Sequence, residues 1–228
     1  MIQNKILISD NDYSDMKKWM RDYIDNKCIF RQDISNWEID NRSDKSILPS
    51  KKKGDWYAWQ FYLRRGCFSS TFNSILTQMF IYQIERKIGH FNFQLSGLET
   101  AATPMLSAIP LVARNFGVEL NSFVVRKKHK EYGLLNWIEG NIEPNVPIMI
   151  IDDLISKSSS MKKCYDILTQ FNYKTLNYVF AIINKRTKYS HQWNLNNSMT
   201  HCELIPDKKI LYLFDCDDFN LYDGSFEG

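Results

Sequence analysis

The chain has 228 residues, of which 44% are hydrophobic and 24% are charged, and its formal net charge is +3. These values are those of an ordinary globular protein, and they exclude a disordered or fibrous chain. The small net charge gives no electrostatic reason to expect nucleic acid or an anionic membrane as a partner, and no stretch approaches the roughly 20 apolar residues that span a bilayer.

The N-terminal third of the sequence predicts two helices joined by a polar connection. Residues 12–24 carry apolar side chains at helical spacing, with Asp12 or Ser14 as the N-cap. Residues 32–55 are polar and contain a run of lysines, which is typical of an exposed connection. Residues 72–88 are strongly apolar and predict a helix that is buried on more than one side.

Predicted strands and helices alternate from residue 91 onward. This order predicts an α/β fold with a Rossmann-like parallel sheet and helices packed on both faces. A further strand at residues 209–214 is expected at an edge of the sheet. The predicted strands are 91–95, 120–125, 146–151 and 176–183, the helices are 103–116 and 159–171, and residues 126–140 form a charged loop.

The cysteines give no sign of a disulfide framework or a zinc site. They are scattered along the chain, and none forms a CxxC pair or has zinc-finger spacing to a histidine. Residues 1–10 also lack the apolar core of a secretion signal, so we expect reduced thiols in a cytoplasmic protein. The five cysteines are Cys28, Cys67, Cys164, Cys202 and Cys216.

The strongest chemical signal follows the apolar strand predicted at residues 146–151. Asp152 and Asp153 come directly after it, and a serine-rich turn at residues 156–160 leads into the next helix. Ligands of open parallel sheets bind beyond the carboxyl ends of the strands, and a turn before a helix N-terminus aims N–H groups at an anion. The pattern favours a phosphate site over the alternative, in which the acids end a strand and the serines cap a helix.

Four segments, in the right order, resemble the motifs of type I phosphoribosyltransferases, and of orotate phosphoribosyltransferase in particular. Residues 146–160 are similar to the motif for phosphoribosyl diphosphate (PRPP), in which four hydrophobic residues, two acids and two hydrophobic residues precede a phosphate loop. Residues 61–73 resemble the family's F-x-L-K-S-G-x-x-S-x-x-F-N stretch. Residues 97–104 fall where its pyrophosphate loop lies, and residues 126–140 resemble its mobile loop. The resemblance implies the type I phosphoribosyltransferase fold with a small N-terminal hood.

The resemblance also implies an activity: transfer of phosphoribose from PRPP to an orotate-like nitrogenous base, with Mg²⁺ as cofactor and pyrophosphate as leaving group. Asp152 and Asp153 would hold the ribose hydroxyls and the metal, and would be catalytic together with Arg126 and Lys130 of the mobile loop. Because that loop closes over a neighbouring subunit in the family, a homodimer is implied. The implied phosphate-binding residues are Ser156, Lys157, Ser158, Ser159, Ser160, Lys127, Thr100 and Ala101, and the implied base-binding residues are Arg64, Lys185 and Phe72.

Several positions depart from the family pattern. Ser158 and Ser159 stand where the family has a Gly-Gly pair, which would let the backbone approach a phosphate closely. Tyr132 replaces the histidine of the mobile loop, and Glu99 stands in the pyrophosphate loop, where it would repel an anion. These departures leave an alternative open. In it the chain is a degenerate or repurposed effector or regulatory subunit, for example of a retron-type phage-defence or mobile-element operon, with a protein or nucleic-acid partner.

The sequence further predicts three parts of the chain. They are an N-terminal helix, insertion and hood segment at residues 1–72, a phosphoribosyltransferase-like core at 73–190, and a C-terminal extension packing on the core at 191–228. A third hypothesis, a nucleic-acid surface in the N-terminal region, is weaker because such aromatic clusters are more often core or dimer contacts. The residues of that surface would be Trp56, Tyr57, Trp59, Arg64 and Arg65.

Overall fold

The computed structural model describes residues 8–31, 59–128, 137–156, 158–185, 208–219 and 221. Its helices are α1 (Asp10–Tyr23), α2 (Arg64–Cys67), α3 (Ser70–Lys87), α4 (Thr103–Ala113) and α5 (Ser159–Gln170). Its strands are β1 (Ile29–Arg31), β2 (Trp59–Phe61), β3 (Gln94–Leu98), β4 (Ser122–Val125), β5 (Ile138–Gly140), β6 (Ile148–Ile155), β7 (Thr175–Asn184) and β8 (Lys209–Asp215). A π-helical turn (Ile24–Cys28) follows α1, and 3-10 turns follow α4 (Arg114–Phe116) and β8 (Cys216–Asp218).

A mostly parallel sheet forms the centre of the fold. Within the described part of the chain it has six strands in the order β5-β4-β3-β6-β7-β8. Each neighbouring pair from β4 to β8 is parallel, whereas β5 runs antiparallel to β4. The predicted α/β fold is therefore confirmed, and β8 is the edge strand that the sequence predicted. Strands β1 and β2 form a separate antiparallel pair.

Both faces of the sheet are buried, as the side chains of β6 illustrate. Met149 and Ile151 lie in a core shared with α3 and α4, whereas Ile148 and Ile150 lie in a second core shared with α5. Successive side chains of a strand point to opposite faces. A strand with helices over both faces must therefore be apolar throughout, which explains its unbroken apolar sequence.

Helix α3 lies inside the larger of the two cores. The Ser69 hydroxyl caps it by accepting the N–H of Phe72 at 3.4 Å. Leu76 and Phe80 are fully buried, and the Phe80 ring meets the Phe180 ring of β7 edge to face at 5.0 Å. The neighbouring Met79 is fully buried too, so the helix is enclosed on more than one side, as predicted.

The segment around β8 packs against β2 and α3, which come much earlier in the chain. Phe214 and Phe219 are buried in the larger core, and the Phe219 ring packs edge to face on Phe61 of β2 at 5.3 Å. The side-chain amide of Gln83 on α3 donates to the carbonyl of Tyr212 at 3.1 Å. Residues 209–219 are thus an integral part of the main core.

The predicted strands differ from the observed ones at their ends, most of all β3 and β6. The strand predicted at residues 91–95 is Gln94–Leu98, because its backbone pairs with β4 as far as Leu98 opposite Val125. The strand predicted to end at residue 151 continues to Ile155, because β7 offers it partners as far as Asn184. The acid pair at 152–153 therefore lies within the strand and not after it.

The N-cap predicted for α1 and the loop predicted at residues 126–140 also need correction. Helix α1 begins at Asp10, and its cap is Ser9, whose hydroxyl accepts the N–H of Asp12 at 3.1 Å. The Asp12 carboxylate accepts the N–H of Ser9 in return, so Asp12 completes a capping box and is not itself the cap. The loop contains β5, whose three residues are too few to show an alternating pattern.

The four cysteines that the structure describes are free and buried, and Cys202 lies outside the described residues. None of the helices in the described ranges combines the length and the apolar character required to cross a membrane.

Candidate active site

Two adjacent carboxyls lie near the carboxyl end of β6, in the middle of the sheet. Asp152 is only 7% exposed, and Asp153 is partly buried. The backbone N–H of Asp153 donates to Oδ1 of Asp152 at 3.0 Å, which orients the Asp152 carboxyl. Because consecutive strand residues point to opposite faces, the two carboxyls can meet different parts of one ligand.

The acid pair is incompletely neutralised by the protein. Burial, together with the adjacent Asp153 carboxyl, raises the pKa of Asp152 to about 8, and the Lys127 ammonium offsets this only in part. Burial also raises the pKa of Asp153, against the opposing effect of the Arg64 guanidinium. A site of this kind favours a ligand that brings positive charge or hydrogen-bond donors to the carboxylates.

The predicted phosphate turn follows the acids and leads into α5. Ser156 is exposed, Lys157 lies outside the described residues, and Ser158 is 5% exposed. Ser158 has φ 57° and ψ 10°, the left-handed conformation that glycine adopts most easily, and α5 begins at Ser159. The positive φ expected of the family's glycine pair is therefore present at the first serine, and the helix N-terminus lies directly behind the turn, as predicted.

Exchanging the two serines for glycine is expected to have opposite effects on stability. Ser158→Gly removes the cost of a left-handed L-residue and should raise the free energy of unfolding by about 0.5–1 kcal/mol. Ser159→Gly places glycine in a regular helical turn and should lower it by about the same amount. Urea denaturation of both variants tests this. A loss of stability in both would show that the buried Ser158 side chain contributes more than its backbone strain.

The predicted pyrophosphate loop follows β3 and lies against β6. A Cβ at Gly97 would lie 2.5 Å from the Cβ of Ala102 and 2.5 Å from the carbonyl oxygen of Ile151, so only glycine fits there. After the strand, Thr100 is exposed and Ala101 is half-buried, and both are accessible to a ligand. The loop is thereby pressed against the strand that carries the acids.

The basic loop comprises residues 126–140, and the structure describes its two ends, 126–128 and 137–140. Lys130 and Tyr132 lie outside the described residues. The Arg126 guanidinium donates to the Glu139 carboxylate of β5 at 2.9 Å. Within the described part of this loop, the Lys127 ammonium acts electrostatically on Asp152. Arg126 is paired across the β4–β5 hairpin.

The predicted base-binding residues have separate positions. Arg64 on α2 acts on Asp153, and its guanidinium lies 5.5 Å from the ring centroid of Tyr62. Lys185 follows β7, where its N–H donates to the carbonyl of Ile155 at 2.8 Å, and burial lowers its side-chain pKa. Phe72 is fully buried in the larger core and has no surface for a ligand, so the prediction that it binds a base is wrong.

Two contacts at this site were not predicted from the sequence. The Glu99 carboxylate accepts the backbone N–H of Lys127, and the Lys163 ammonium donates to the Lys127 carbonyl. Glu99 appeared in the sequence only as a charge that would repel an anion, and nothing in the pattern of α5 distinguishes Lys163 from any other exposed lysine of a helix.

Curated proteins with similar sequences include several orotate phosphoribosyltransferases. No protein-family model matches the sequence. An orotate phosphoribosyltransferase of Rhodopirellula baltica is 30% identical over 91 residues, which are 40% of this chain and 47% of that protein. One of Methanocaldococcus jannaschii is 24% identical over 165 residues, 72% of this chain and 84% of that protein. The chain thus spans about half the length of the first relative and most of the second.

Solved structures share the fold. The crystal structure of Mycobacterium tuberculosis orotate phosphoribosyltransferase in complex with Fe(III) dicitrate superposes with a TM-score of 0.63 at 13% identity, and the match covers 89% of this chain and 98% of that one. The chain is thus similar in sequence to orotate phosphoribosyltransferases, and it has the fold of a solved orotate phosphoribosyltransferase.

Proposed function

We propose that this chain is a phosphoribosyltransferase that binds PRPP with Mg²⁺ and transfers phosphoribose to a nitrogenous base, with release of pyrophosphate. The observation that carries the proposal is the buried, incompletely neutralised pair Asp152 and Asp153, with a serine turn and a helix N-terminus directly behind it. Phosphate oxygens suit the N–H groups of the turn, and ribose hydroxyls suit the carboxylates.

The charges of the site match those of the proposed reaction. The anomeric carbon becomes cationic as the bond to pyrophosphate breaks, and carboxylates that are already in place stabilise that charge without reorganising. The Lys127 ammonium acts electrostatically on Asp152 and would neutralise the departing pyrophosphate. A closed basic loop would exclude water and strengthen both interactions, and closure over a neighbouring subunit in a homodimer is part of the proposal.

Magnesium fits this site when the substrate supplies part of its ligands. In the ranges that the structure describes, no group of three or more His, Cys, Asp or Glu side chains is arranged to hold a metal ion. Mg²⁺ usually takes one or two carboxylates and completes its shell with water and substrate phosphates, so Asp152 and Asp153 would hold it together with PRPP. Bound there, Mg²⁺ would neutralise charge on the pyrophosphate leaving group.

The acceptor we propose is an anionic, orotate-like base. The Arg64 guanidinium acts electrostatically on Asp153, and Lys185 follows β7, the strand next to β6, so these two cationic side chains would meet an anionic base. The similarity to orotate phosphoribosyltransferases supports the same acceptor.

Calorimetric titration with PRPP in the presence of Mg²⁺, followed by a pyrophosphate-release assay, tests the proposal. We expect PRPP to bind with a dissociation constant below about 1 mM, and orotate to be the preferred acceptor over uracil and adenine. The double variant Asp152→Asn, Asp153→Asn should lose Mg²⁺-dependent binding, whereas Glu119→Gln, an exposed carboxylate before β4 at the opposite end of the sheet, should keep it.

Failure of the wild-type protein to bind PRPP at about 1 mM would contradict the proposed activity. A complex with a protein or nucleic acid that co-purifies and persists in the double variant would instead support the repurposed effector or regulatory subunit.

A further inference from the structure

The backbone of Lys127 is bound at both its N–H and its C=O by side chains from other elements. Its N–H donates to Oε1 of Glu99 at 2.7 Å, and its carbonyl accepts from Nζ of Lys163 at 2.6 Å. Glu99 follows β3 and Lys163 lies on α5, whereas Lys127 follows β4. Three separate segments around the acid pair therefore meet at the root of the basic loop.

Glu99 itself is fixed by its backbone. Its N–H donates to the carbonyl of Val125, the last residue of β4, at 2.8 Å. Glu99 therefore binds the backbone at both Val125 and Lys127, where the chain enters the basic loop. Hydrogen bonds in which one partner is charged are about twice as strong as neutral ones, so this is a substantial restraint on a short segment.

We propose that Glu99 is a positioning residue. Its carboxylate accepts the backbone N–H of Lys127 and so keeps the Lys127 side chain at the acid pair. This role rests on the proposed function, because the task of Lys127 there is to neutralise pyrophosphate. Lys163 acts in the same way from the carbonyl side. The influence of the Lys127 ammonium on Asp152 is consistent with this placement.

The positioning role differs in its consequences from simple repulsion of an anion. A carboxylate that only repelled pyrophosphate would weaken its binding, so any neutral replacement would strengthen it. A carboxylate that anchors Lys127 strengthens pyrophosphate binding indirectly, and what matters is the acceptor oxygen. Glutamine keeps an Oε1 acceptor without the charge, and alanine removes both, so the two substitutions separate these cases.

The experiment compares Glu99→Ala, Glu99→Gln and Lys163→Met with wild type in two measurements. The first is amide hydrogen exchange of Lys127 in the free protein, which we expect to be about tenfold faster in Glu99→Ala and within about threefold of wild type in Glu99→Gln. The second is calorimetric titration with pyrophosphate and Mg²⁺, in which Glu99→Ala and Lys163→Met should bind about tenfold more weakly and Glu99→Gln nearly as wild type. Glu119→Gln controls for the change in net charge.

Two results would overturn the proposal. Tighter pyrophosphate binding in both Glu99 variants would mean that the carboxylate repels the ligand, and unchanged exchange of the Lys127 amide in Glu99→Ala would mean that it anchors nothing. The two measurements also separate this inference from the proposed function. Pyrophosphate binding that is present in wild type and unchanged in Glu99→Ala overturns the positioning role alone, whereas a wild-type protein that binds neither pyrophosphate nor PRPP overturns the function.

Discussion

Replacing Asp152 with asparagine is expected to stabilise the metal-free protein while it abolishes phosphoribosyl transfer. Burial and the neighbouring Asp153 raise the pKa of Asp152 from 3.8 to about 8. Asparagine is neutral at every pH, and its Oδ1 can still accept the N–H of Asp153. The free energy of unfolding should therefore rise by on the order of 1–3 kcal/mol at neutral pH, and transfer should fall by about a thousandfold or more.

The gain in stability should depend on pH in a defined direction. A carboxyl whose pKa is higher in the folded than in the unfolded chain binds its proton more tightly when folded. Its wild-type form therefore loses stability as the pH rises from 3.8 to about 8. The difference between Asp152→Asn and wild type should be small near the lower value and grow up to the higher one.

Urea denaturation in EDTA at several pH values between about 5 and 8 measures this difference. Glu119→Gln is the matched control, because it removes one carboxylate that is exposed and lies away from the acid pair. A variant Asp152→Asn that is less stable than wild type near pH 8 would contradict the argument. It would mean that the ionised carboxylate is stabilised by contacts that outweigh its burial.

Gly97→Ala is expected to lower the free energy of unfolding by about 2–3 kcal/mol and to weaken PRPP binding at the same time. The added methyl would lie 2.5 Å from both the Ala102 Cβ and the Ile151 carbonyl oxygen. The second contact is with backbone of a central strand, which cannot move without moving its neighbour Asp152. The substitution should therefore separate the pyrophosphate loop from the acids as well as disturb the sheet.

The control for this variant is Gly89→Ala. Gly89 has φ +81° and no heavy atom within 4 Å of an added Cβ, so alanine there introduces backbone strain without a clash, at a cost of about 1 kcal/mol. Thermal unfolding and PRPP titration of both variants give the comparison. If Gly97→Ala costs no more than Gly89→Ala, the close approach of β3 to β6 is not a constraint on the fold.

The sequence was most informative where burial alone decides the structure. The unbroken apolar run of β6 predicted the parallel sheet, which is confirmed, because a strand covered on both faces leaves little choice of side chain. The acids beside that run predicted the candidate site. The ends of β3 and β6 could not be predicted in the same way, since they depend on how far β4 and β7 extend beside them.

The anchoring of Lys127 could not be predicted because it is non-local. Glu99 and Lys163 lie 28 and 36 residues from Lys127 in the chain, and no periodic pattern connects such positions. The prediction for Phe72 was wrong for a different reason. Its position in the motif implied contact with a base, but the packing of α3 places it in the core. A resemblance to a family predicts which residues form a motif. The tertiary packing determines which of those side chains reach the surface.

The integration of residues 209–219 into the main core has a consequence for synthesis of the protein. The Phe219 ring packs on Phe61, and β8 covers the free side of β7. Because the ribosome delivers the N-terminal segments first, β2, α3 and β7 emerge before the strand and rings that complete them. The nascent chain therefore exposes an unpaired parallel strand edge and apolar surface until residues 209–219 have been synthesised.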